Sequence, residues 1–587
     1  MKGKHITASD VDVAAVPRDP FWAKLGKGDA SYHPLLAHSA DVAAVFRALL
    51  EPPGVFAARL AGAGGVRELR SSDRAALVYL VSLHDLGKAN HGFQEMRYPR
   101  TQRRHWAAYD HLDAVYGSLG NSTPLRRLLG ELASVLHPDP EIAADLMLAT
   151  IYHHGRPGPL RTDRAMTEPK RLWEPDAQTG RDPLAHIRRL ASCARRWSGL
   201  DELPNGPEPL LNTPAFTHLY AGLLTLSDWI GSNEQIFKFA READDEPDRY
   251  WTERAVPLAR EVCARIGLVP RTQAVSLVGL PLLEALFPAT FRRAGHPPTG
   301  HPPTGLQTRV ATLPLPGPGA RLLVESETGS GKTEAALALY ARLRAENAVA
   351  GLMFALPTRA TASAMYDRVL AALRGLYLAG EDPTIALAIG GEGPRTEADA
   401  AVEQNLQADP QRWDEEIGPE LRGLRNWASE RSKTFLAAEI VVGTLDQALL
   451  ATLRVKHAHL RLAPLSRHLL VVDELHSYDR YMATVLARLL ALHTQAGGIA
   501  LFMSATLSDT ERRRFSGATE PEPTLAEAIK RPYPLLSICG TPNAPWREIP
   551  IPASNPAGQV TIKRVRWQCE ADEAAALGQA IRAARAG

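Results

Sequence analysis

Residues 326–333, with the sequence SETGSGKT, have the composition and spacing of a phosphate-binding loop. Glycines let successive backbone N–H groups curve around a phosphate, and the N-terminus of the helix predicted from Lys332 adds partial positive charge. Lys332 is expected to meet the β- and γ-phosphates of ATP, and Thr333 to hold Mg²⁺. The predicted nucleotide-binding residues of this loop are Thr328, Gly329, Ser330, Gly331, Lys332 and Thr333.

An acidic string, Asp473-Glu474-Leu475-His476, follows a β-branched run that predicts a strand. Asp473 is expected to hold Mg²⁺ through water, and Glu474 to polarise the water that attacks the γ-phosphate. His476 would then report the nucleotide state to the next segment. Gln307, ahead of the first predicted strand, stands where helicases use a glutamine to read the adenine edge.

Three more strings end apolar runs that predict strands: Pro357-Thr358-Arg359, Gly443-Thr444-Leu445-Asp446-Gln447 and Ser504-Ala505-Thr506. Ligands bind at the carboxyl ends of strands in an α/β sheet. Thr358 and Arg359 are therefore expected to contact a nucleic-acid backbone, and residues 504–506 to couple hydrolysis to the grip on nucleic acid.

A different chemistry is indicated upstream, where histidines and aspartates recur on apolar segments. Adjacent His and Asp in an apolar environment are costly unless a metal neutralises and orients them. Lys88, one turn beyond Asp85, is placed to pair with Asp85 or with a phosphate. The candidate ligands are His38, His84, Asp85, His105 or His111, His153, His154 and Asp228.

The elements that would carry these ligands are helices. Residues 33–50 and 73–88 have apolar residues at helical spacing, and the segment after Arg103 and Arg104 is expected to be helical too. His153 and His154 end an apolar helix, and Asp228 lies inside one. Such helices predict an all-α bundle that holds one or two metals, with Fe, Mn, Co, Ni and Zn all compatible with imidazole and carboxylate ligands. The expected chemistry is attack of metal-activated water on a phosphodiester, with Asp85 at its centre.

Composition limits the class of protein. The 587 residues are 45% hydrophobic and 22% charged, with a formal net charge of +2, so a nucleic-acid surface has to be local. Four cysteines lie far apart without CxxC spacing, which favours a reducing cytoplasm over a zinc ribbon or a disulfide scaffold. No apolar signal core or membrane-length run occurs, and no membrane association is expected.

Together these strings resemble one known family. HPLLAHSADVAAV, HDLGK, HHGRP and LLTLSDWIGS, followed by SETGSGKT, LPTRATASAM, VVGTLDQALL, VVDELHSYD and MSATLS, are similar to the CRISPR-associated helicase–nuclease of type I systems, the Cas-three family. The resemblance implies an HD-type metallohydrolase followed by a RecA-like superfamily 2 helicase. It implies metal-dependent cleavage of single-stranded DNA, ATP-driven 3′-to-5′ travel, and recruitment by the large subunit of a crRNA-guided surveillance complex. It also favours His111 over His105 as the ligand between Asp85 and His153.

The predicted organisation has four parts. Residues 1–270 form the HD nuclease domain, 271–305 a connector with the repeat GHPPTGHPPTG, and 306–545 the first RecA-like domain. Residues 546–587 are expected to open a second RecA-like domain that a truncated gene product lacks or that a second polypeptide completes. Because that domain supplies arginines to the γ-phosphate, the chain alone is expected to hydrolyse ATP poorly.

Two other functions remain open at this stage. One is an HD phosphohydrolase that acts on nucleotides, with a regulatory ATPase. The other is a binding module that docks on the surveillance complex without cutting. Cleavage of a DNA oligomer rather than mononucleotides would distinguish a nuclease from the phosphohydrolase. Copurification of one or two transition metals per chain would distinguish a metal-dependent enzyme from the binding module.

Overall fold

The structure is a computed structural model. It describes residues 20–26, 31–52, 54–98, 106–119, 123–153, 171–203, 209–269, 276–291, 302–377, 383–389, 435–453, 458–516, 523–528, 530–540 and 545–552. Within these ranges, no helix combines the length and the apolar character that crossing a bilayer requires.

The N-terminal unit is a helical bundle, as predicted, with one small addition. A two-stranded antiparallel hairpin, β1 (Trp22–Leu25) and β2 (Tyr32–Pro34), leads into the first helix. The helices are α1 (Leu35–Leu50), α2 (Phe56–Ala63), α3 (Ser71–Ser82), α4 (His91–Gln94), α5 (His111–Leu119), α6 (Pro124–Ala133), α7 (Pro140–Ile151), α8 (Pro183–Ser198), α9 (Pro214–Gly231), α10 (Pro247–Tyr250) and α11 (Val256–Arg265). α1 is buried along almost its whole length and packs on α3, α9 and α11.

Two predicted helices begin or end elsewhere. α3 stops at Ser82, so His84 and Asp85 lie in the turn after it, and Lys88 lies in a 3₁₀ helix, Leu86–Ala89. Gly87 lies in this 3₁₀ helix, where a Cβ would come within 2.7 Å of His111 O, so the close approach of α5 favours glycine at this position. The prediction of one helix over residues 73–88 was therefore wrong.

The segment before α5 is not helical either. Residues 106–110 are irregular, and α5 begins at His111. Asp110 accounts for this start, because its carboxylate accepts a hydrogen bond from Leu112 N at 2.8 Å and satisfies an otherwise unpaired helix donor. The helix predicted directly after the arginines starts later than expected.

The C-terminal unit is built on a mixed sheet with the strand order β10-β9-β3-β8-β7-β4-β6-β5 among the described residues. Neighbours from β3 to β5 pair in parallel, whereas β9 pairs antiparallel with β3 and β10. The strands are β3 (Arg321–Glu325), β4 (Gly351–Leu356), β5 (Ile385–Ala388), β6 (Ile440–Thr444), β7 (His468–Val472), β8 (Ala500–Ser504), β9 (Leu535–Cys539) and β10 (Arg547–Pro550).

Helices cover both faces of this sheet, so its central strands are buried and read as continuous apolar runs. The parallel pairing brings the strand ends that carry the predicted motifs to one edge. The helices of this unit are α12 (Leu280–Leu286), α13 (Pro288–Phe291), α14 (Gly305–Thr312), α15 (Lys332–Ala345), α16 (Arg359–Leu373), α17 (Leu445–Leu449), α18 (Ala458–Ser466), α19 (Arg480–Gln495), α20 (Asp509–Ser516) and α21 (Leu525–Ala528).

The sheet continues beyond the predicted domain boundary at residue 545. β10 pairs with β9, with Arg547 opposite Ile538, so β10 is an edge strand of the sheet of the C-terminal unit. Helix α12, in the predicted connector, also packs into the apolar core of this unit through Leu282, Leu283 and Leu286. The GHPPTGHPPTG repeat up to His301 and residues 553–587 lie outside the described residues.

The two units share a packed joint. α9 lies along α18, and Leu460 and Ala463 of α18 belong to the apolar core of the helical unit. Buried Arg59 of α2 donates to three carbonyl oxygens of the second unit, Ser466 O at 2.7 Å, Gly497 O at 2.8 Å and Ala348 O at 2.6 Å. The joint is therefore apolar at its centre and hydrogen-bonded at a buried guanidinium.

Candidate metal centre and nucleotide site

The predicted metal ligands of the described residues meet at one place in the helical bundle. α1 supplies His38, the turn after α3 supplies His84 and Asp85, and α9 supplies Asp228. One ligand atom from each of these four buried residues lies within 4.8 Å of the other three. The helices thus converge on a four-residue cluster.

The distances inside this cluster are short. His38 Nε2 lies 3.1 Å from Asp85 Oδ2 and 3.6 Å from Asp228 Oδ1. His84 Nε2 lies 3.4 Å from Asp85 Oδ2 and 3.8 Å from Asp228 Oδ1. Two imidazoles and two carboxylates therefore surround one small volume.

Backbone carbonyls decide which nitrogen faces that volume. His84 Nδ1 donates to Val81 O at 2.9 Å, and His153 Nδ1 donates to Thr150 O at 3.0 Å. In the neutral imidazole, Nε2 then carries a lone pair. His84 Nε2 and Asp85 Oδ1 are both buried and have no hydrogen-bond partner. Electron-rich atoms that face each other in this way fit a cation, and the N and O donors suit a divalent transition metal.

The ionisation states fit a metal as well. The pKa of Asp85 is well below its usual range because Lys88 and the neighbouring imidazoles outweigh the effect of burial. The pKa of Asp228 is also well below its usual range, because the surrounding histidines, His153 first, outweigh the effect of burial. Burial holds the pKa of His38 well below its usual value, whereas at His84 the charges of Asp85 and Asp228 outweigh burial and raise the pKa. Ionised carboxylates and a neutral imidazole are the forms that bind metals.

Two further predicted ligands lie at the rim of the cluster. His111 Nε2 is 3.7 Å from Asp85 Oδ1, and His153 Nε2 is 3.5 Å from Asp228 Oδ2. Each imidazole faces a different carboxylate of the cluster. His105 and His154 lie outside the described residues.

Two lysines flank the carboxylates. Lys88 Nζ lies 2.6 Å from Asp85 Oδ2, as the spacing predicted. Lys24, on β1, was missed by the sequence reasoning; its Nζ donates to Ser232 O at 2.6 Å, and Ser232 Oγ donates to Asp228 Oδ1 at 2.9 Å. A lone lysine in a short strand carries no sequence signal for this role.

A buried polar triad next to the cluster was also missed. His33 Nε2 lies 2.8 Å from Asp41 Oδ2, and Tyr250 OH donates to Asp41 Oδ1 at 2.8 Å. The triad ties β2 and the end of α10 to the middle of α1, and so helps to fix the helix that carries His38. The i, i+8 spacing of His33 and Asp41 was a weak signal for it.

The phosphate-binding loop has the predicted strand–loop–helix context. β3 ends at Glu325, and α15 opens at Lys332. Lys332 Nζ donates to Ser326 O at 2.7 Å and Glu327 O at 3.1 Å, so its ammonium lies inside the curve of the loop. Thr333 follows it in the first turn of α15.

Gln307 lies against this loop. It sits in the first turn of α14, where Thr304 N donates to Gln307 Oε1 at 2.8 Å and Gln307 N donates to Thr304 Oγ1 at 3.3 Å. Thr304 Oγ1 in turn donates to Ser330 O at 2.9 Å. A Cβ added to Gly331 would collide with Gln307 Nε2. α14 therefore places Gln307 beside the loop, and its contact with adenine stays a prediction.

Asp473 and Glu474 follow β7 at the same edge of the sheet. Glu474 has φ 50°, a left-handed conformation that is strained for a non-glycine residue, and its N–H donates to Asp473 Oδ1 at 2.9 Å. Burial raises the pKa of Asp473. These are the positions at which the sequence predicts the Mg²⁺ carboxylate and the water-polarising carboxylate.

A hydrogen-bonded chain joins the acidic string to residues 504–506. His476 Nδ1 lies 3.0 Å from Ser504 Oγ, which donates to Thr506 O at 2.6 Å. Ser326 N donates to Ser504 O at 3.1 Å, so the phosphate-binding loop contacts the same residue. The chain connects His476 to residues 504–506, and its role in reporting the nucleotide state stays a prediction.

Two other motif segments lie at the same edge. Thr358 caps α16 directly after β4, with its side chain accepting from Thr361 N at 3.2 Å. Arg359 is the first residue of that helix, and Thr444 ends β6. A helix N-terminus of this kind can bind phosphate, and nucleic-acid contact at these segments stays a prediction.

Two family models match the chain in the order of these units. Residues 22–237 match the model for the Cas3 HD domain, and residues 304–515 match the model for the DEAD/DEAH box helicase. The first match covers the four clustered candidate metal ligands, and the second covers the residues predicted to bind nucleotide.

Curated relatives and a solved structure agree with these matches. The chain is 34% identical over 533 residues to the CRISPR-associated endonuclease/helicase Cas3 of Thermus thermophilus, covering 88% of this chain and 53% of the relative. It is 28% identical over 529 residues to the Escherichia coli protein of the same description, covering 84% and 54%. A crystal structure of a CRISPR-associated protein superposes with a TM-score of 0.66 at 26% identity, covering 91% and 57%. The chain spans about half the length of the curated relatives it matches.

Proposed function

We propose, from the premise that this chain belongs to the Cas3 family, that it is a metal-dependent nuclease for single-stranded DNA joined to an ATP-dependent 3′-to-5′ DNA helicase motor. The observation that carries the nuclease is the buried cluster of His38, His84, Asp85 and Asp228. Its lone pairs and negative charges face one another and are compatible with a cation.

The protein groups have distinct roles in this proposal. One or two transition metals, such as Fe, Mn, Ni or Co, would activate water and stabilise the leaving oxygen when bound at these residues and at His111, His153 and His154. Lys88, 2.6 Å from Asp85, adds positive charge where the phosphodiester approaches. The backbone acceptors of His84 and His153 keep each Nε2 lone pair pointed inward.

The second unit would bind ATP with Mg²⁺ at the carboxyl edge of its sheet. Lys332 lies inside the phosphate-binding loop, Asp473 and Glu474 follow the neighbouring strand end, and Gln307 lies beside Gly331. The link from His476 to Ser504 supports coupling between hydrolysis and the grip on DNA at the neighbouring strand ends.

The proposed partners are single-stranded DNA and a crRNA-guided surveillance complex, whose large subunit would recruit the protein to degrade foreign DNA. The relatives' description as CRISPR-associated endonuclease/helicases supports this assignment. A cytoplasmic location is proposed because the four cysteines lack the spacing of a disulfide framework.

Cleavage of circular single-stranded DNA tests the nuclease. The chain would be incubated with Mn²⁺, Ni²⁺ or Co²⁺ in the absence of ATP, beside Asp85→Asn and a matched control, Asp139→Asn. Asp139 caps α7 by accepting from Glu141 N, and Asn caps helices equally well, so the control should remain folded and active.

Cutting that disappears in Asp85→Asn and persists in Asp139→Asn is the expected result. Absence of cutting with every metal, from a folded chain, would overturn the nuclease assignment. Release of phosphate from mononucleotides without cleavage of the circle would also overturn it and would favour a nucleotide phosphohydrolase.

A further inference from the structure

Helix α9 has two faces with different partners. One face presents Asp228 to the metal cluster, and another packs on α18 of the second unit. The approach is close at Gly222, where an added Cβ would collide with His459 O and lie 2.8 Å from Ala463 Cβ. A helix that carries a metal ligand therefore rests directly on the helicase unit.

A hydrogen-bond cluster crosses this joint. His459, the second residue of α18, has Nε2 3.1 Å from His153 O and 3.0 Å from Thr225 Oγ1. Thr225 Oγ1 is itself 2.7 Å from His153 O and 2.9 Å from Ala221 O. The contact with the carbonyl requires the tautomer in which Nε2 carries the proton, and this single N–H is shared between His153 O and Thr225 Oγ1, both of which belong to the nuclease unit.

The carbonyl at the centre of this cluster belongs to a rim residue of the metal site. His153 follows α7 closely, and its imidazole Nε2 lies 3.5 Å from Asp228 Oδ2. Its ring is oriented by Thr150 O, and its main chain by Thr225 and His459. Two of these three anchors come from the nuclease unit and one from the helicase unit.

We propose that His459 is a positioning residue of the nuclease metal centre, supplied by the helicase unit, which fixes the backbone of His153 and so the approach of its imidazole to the cluster. The inference rests on the proposed metal centre. Loss of an outer-shell anchor at a metal site typically lowers metal affinity or activity by about 10- to 100-fold.

The position of α18 gives this contact a consequence for the motor. α18 lies in the chain between β6, which ends at Thr444, and β7, which runs directly into Asp473 and Glu474. It thus belongs to the segment between two strands whose ends form the nucleotide and DNA edge. A displacement of α18 would be transmitted to His153 through His459.

Manganese binding tests the proposal without depending on catalysis. The full chain would be titrated with Mn²⁺, with free Mn²⁺ followed by electron paramagnetic resonance, and the unmodified chain compared with His459→Ala and His459→Gln. Arg59→Lys is the matched control, because it disturbs the same joint through hydrogen bonds to Ser466, Gly497 and Ala348, away from the metal cluster. Thermal unfolding of each variant would verify folding.

His459→Ala is expected to weaken Mn²⁺ binding about 10-fold, with His459→Gln restoring it in part because the amide retains an N–H donor. Equal weakening in Arg59→Lys, or no weakening in a folded His459→Ala, would overturn the positioning role alone. An unmodified chain that takes up no Mn²⁺ would overturn the proposed metal centre and this inference together.

Discussion

At the scale of single residues, the chemistry of both sites depends on how backbone groups aim a few polar atoms. Val81 O and Thr150 O select the histidine tautomers that point lone pairs at Asp85 and Asp228. The same principle applies in the phosphate-binding loop, where Lys332 is held by two carbonyls of its own loop. Misplacing one anchor is therefore expected to impair the chemistry even when every reactive group is present.

The loop glycines allow a residue-scale prediction. Gly329 and Gly331 both have positive φ, 84° and 86°, but only at Gly331 would an added Cβ meet another group, Gln307. Gly329→Ala is expected to carry only the backbone cost, about 1–2 kcal/mol. Gly331→Ala adds a collision that displaces Gln307, so its affinity for a fluorescent ATP analogue should fall further than that of Gly329→Ala.

Fluorescence titration with the analogue, beside thermal unfolding, checks this prediction. The unfolding data separate loss of the fold from loss of the site. Equal affinities in the two variants would show that Gln307 does not contribute to nucleotide binding.

At the scale of elements, α9 is the helix on which both units depend. Its buried stretch carries Asp228, its glycine at 222 admits α18, and its end at Gly231 packs on the backbone of Val42 in α1. Small residues let two backbones approach so closely that a side chain on either helix would separate them. α9 therefore contacts both the candidate metal site and the helicase unit.

Substitution of Gly222 tests the close packing of α9 against α18. Gly222→Ala is expected to destabilise the protein by about 1–3 kcal/mol, because overpacking forces the helices apart. Gly130→Ala in α6 is the matched control, since nothing lies within 4 Å of its added Cβ. There the same change should stabilise by about 0.4–1 kcal/mol through reduced freedom of the unfolded chain.

Denaturant unfolding of the two variants measures both effects. If Gly222→Ala is as stable as the unmodified protein, α9 and α18 do not pack as closely as the structure places them.

At the scale of the whole molecule, buried guanidinium groups join regions distant in the chain. Arg467 donates to Gly267 O at 2.6 Å, Ala350 O at 2.9 Å, Ala437 O at 2.6 Å and Ala438 O at 2.9 Å. Burial lowers the pKa of both Arg59 and Arg467 to about 10, because removal from water disfavours the charged guanidinium. Both side chains still carry a full charge at neutral pH. A further positive charge buried in the joint would therefore be repelled and would destabilise the folded protein.

His493 makes the joint sensitive to acid. It is buried near Arg59, and its Nε2 donates to Ile499 O at 3.2 Å. Burial, and then the charge of Arg59, lower its pKa from 6.5 to about 4. Between these two pKa values the unfolded chain binds the proton first, so stability is lost as pH falls through this window. Each unit by which the pKa is lowered is worth about 1.4 kcal/mol.

His493→Gln should therefore flatten the pH dependence of the unfolding free energy across this window. His137→Gln, on the loop between α6 and α7, serves as the control and should keep the original slope. Chemical denaturation at a series of pH values measures both. A slope that is unchanged in His493→Gln would remove this histidine as a source of the acid sensitivity.

The order of motifs and their strand or helix context could be predicted from the sequence. Lys332, Asp473 and Ser504 each follow or end an apolar run, and parallel pairing of such runs places their ends at one edge whatever the detail of the loops. The metal ligands could be proposed as a set because His and Asp on apolar helices need a common neutralising partner. Local pattern and general chemistry were sufficient for both predictions.

Only the tertiary structure decided how these groups are held. It ended α3 before His84, brought Lys24 beside Ser232, and set His459 against His153 across 306 positions of chain. The last two depend on contacts between segments that are distant in the chain. Sequence periodicity reports which face of an element is apolar; which residues of two elements touch is decided by packing, where steric fit and hydrogen-bond satisfaction act together.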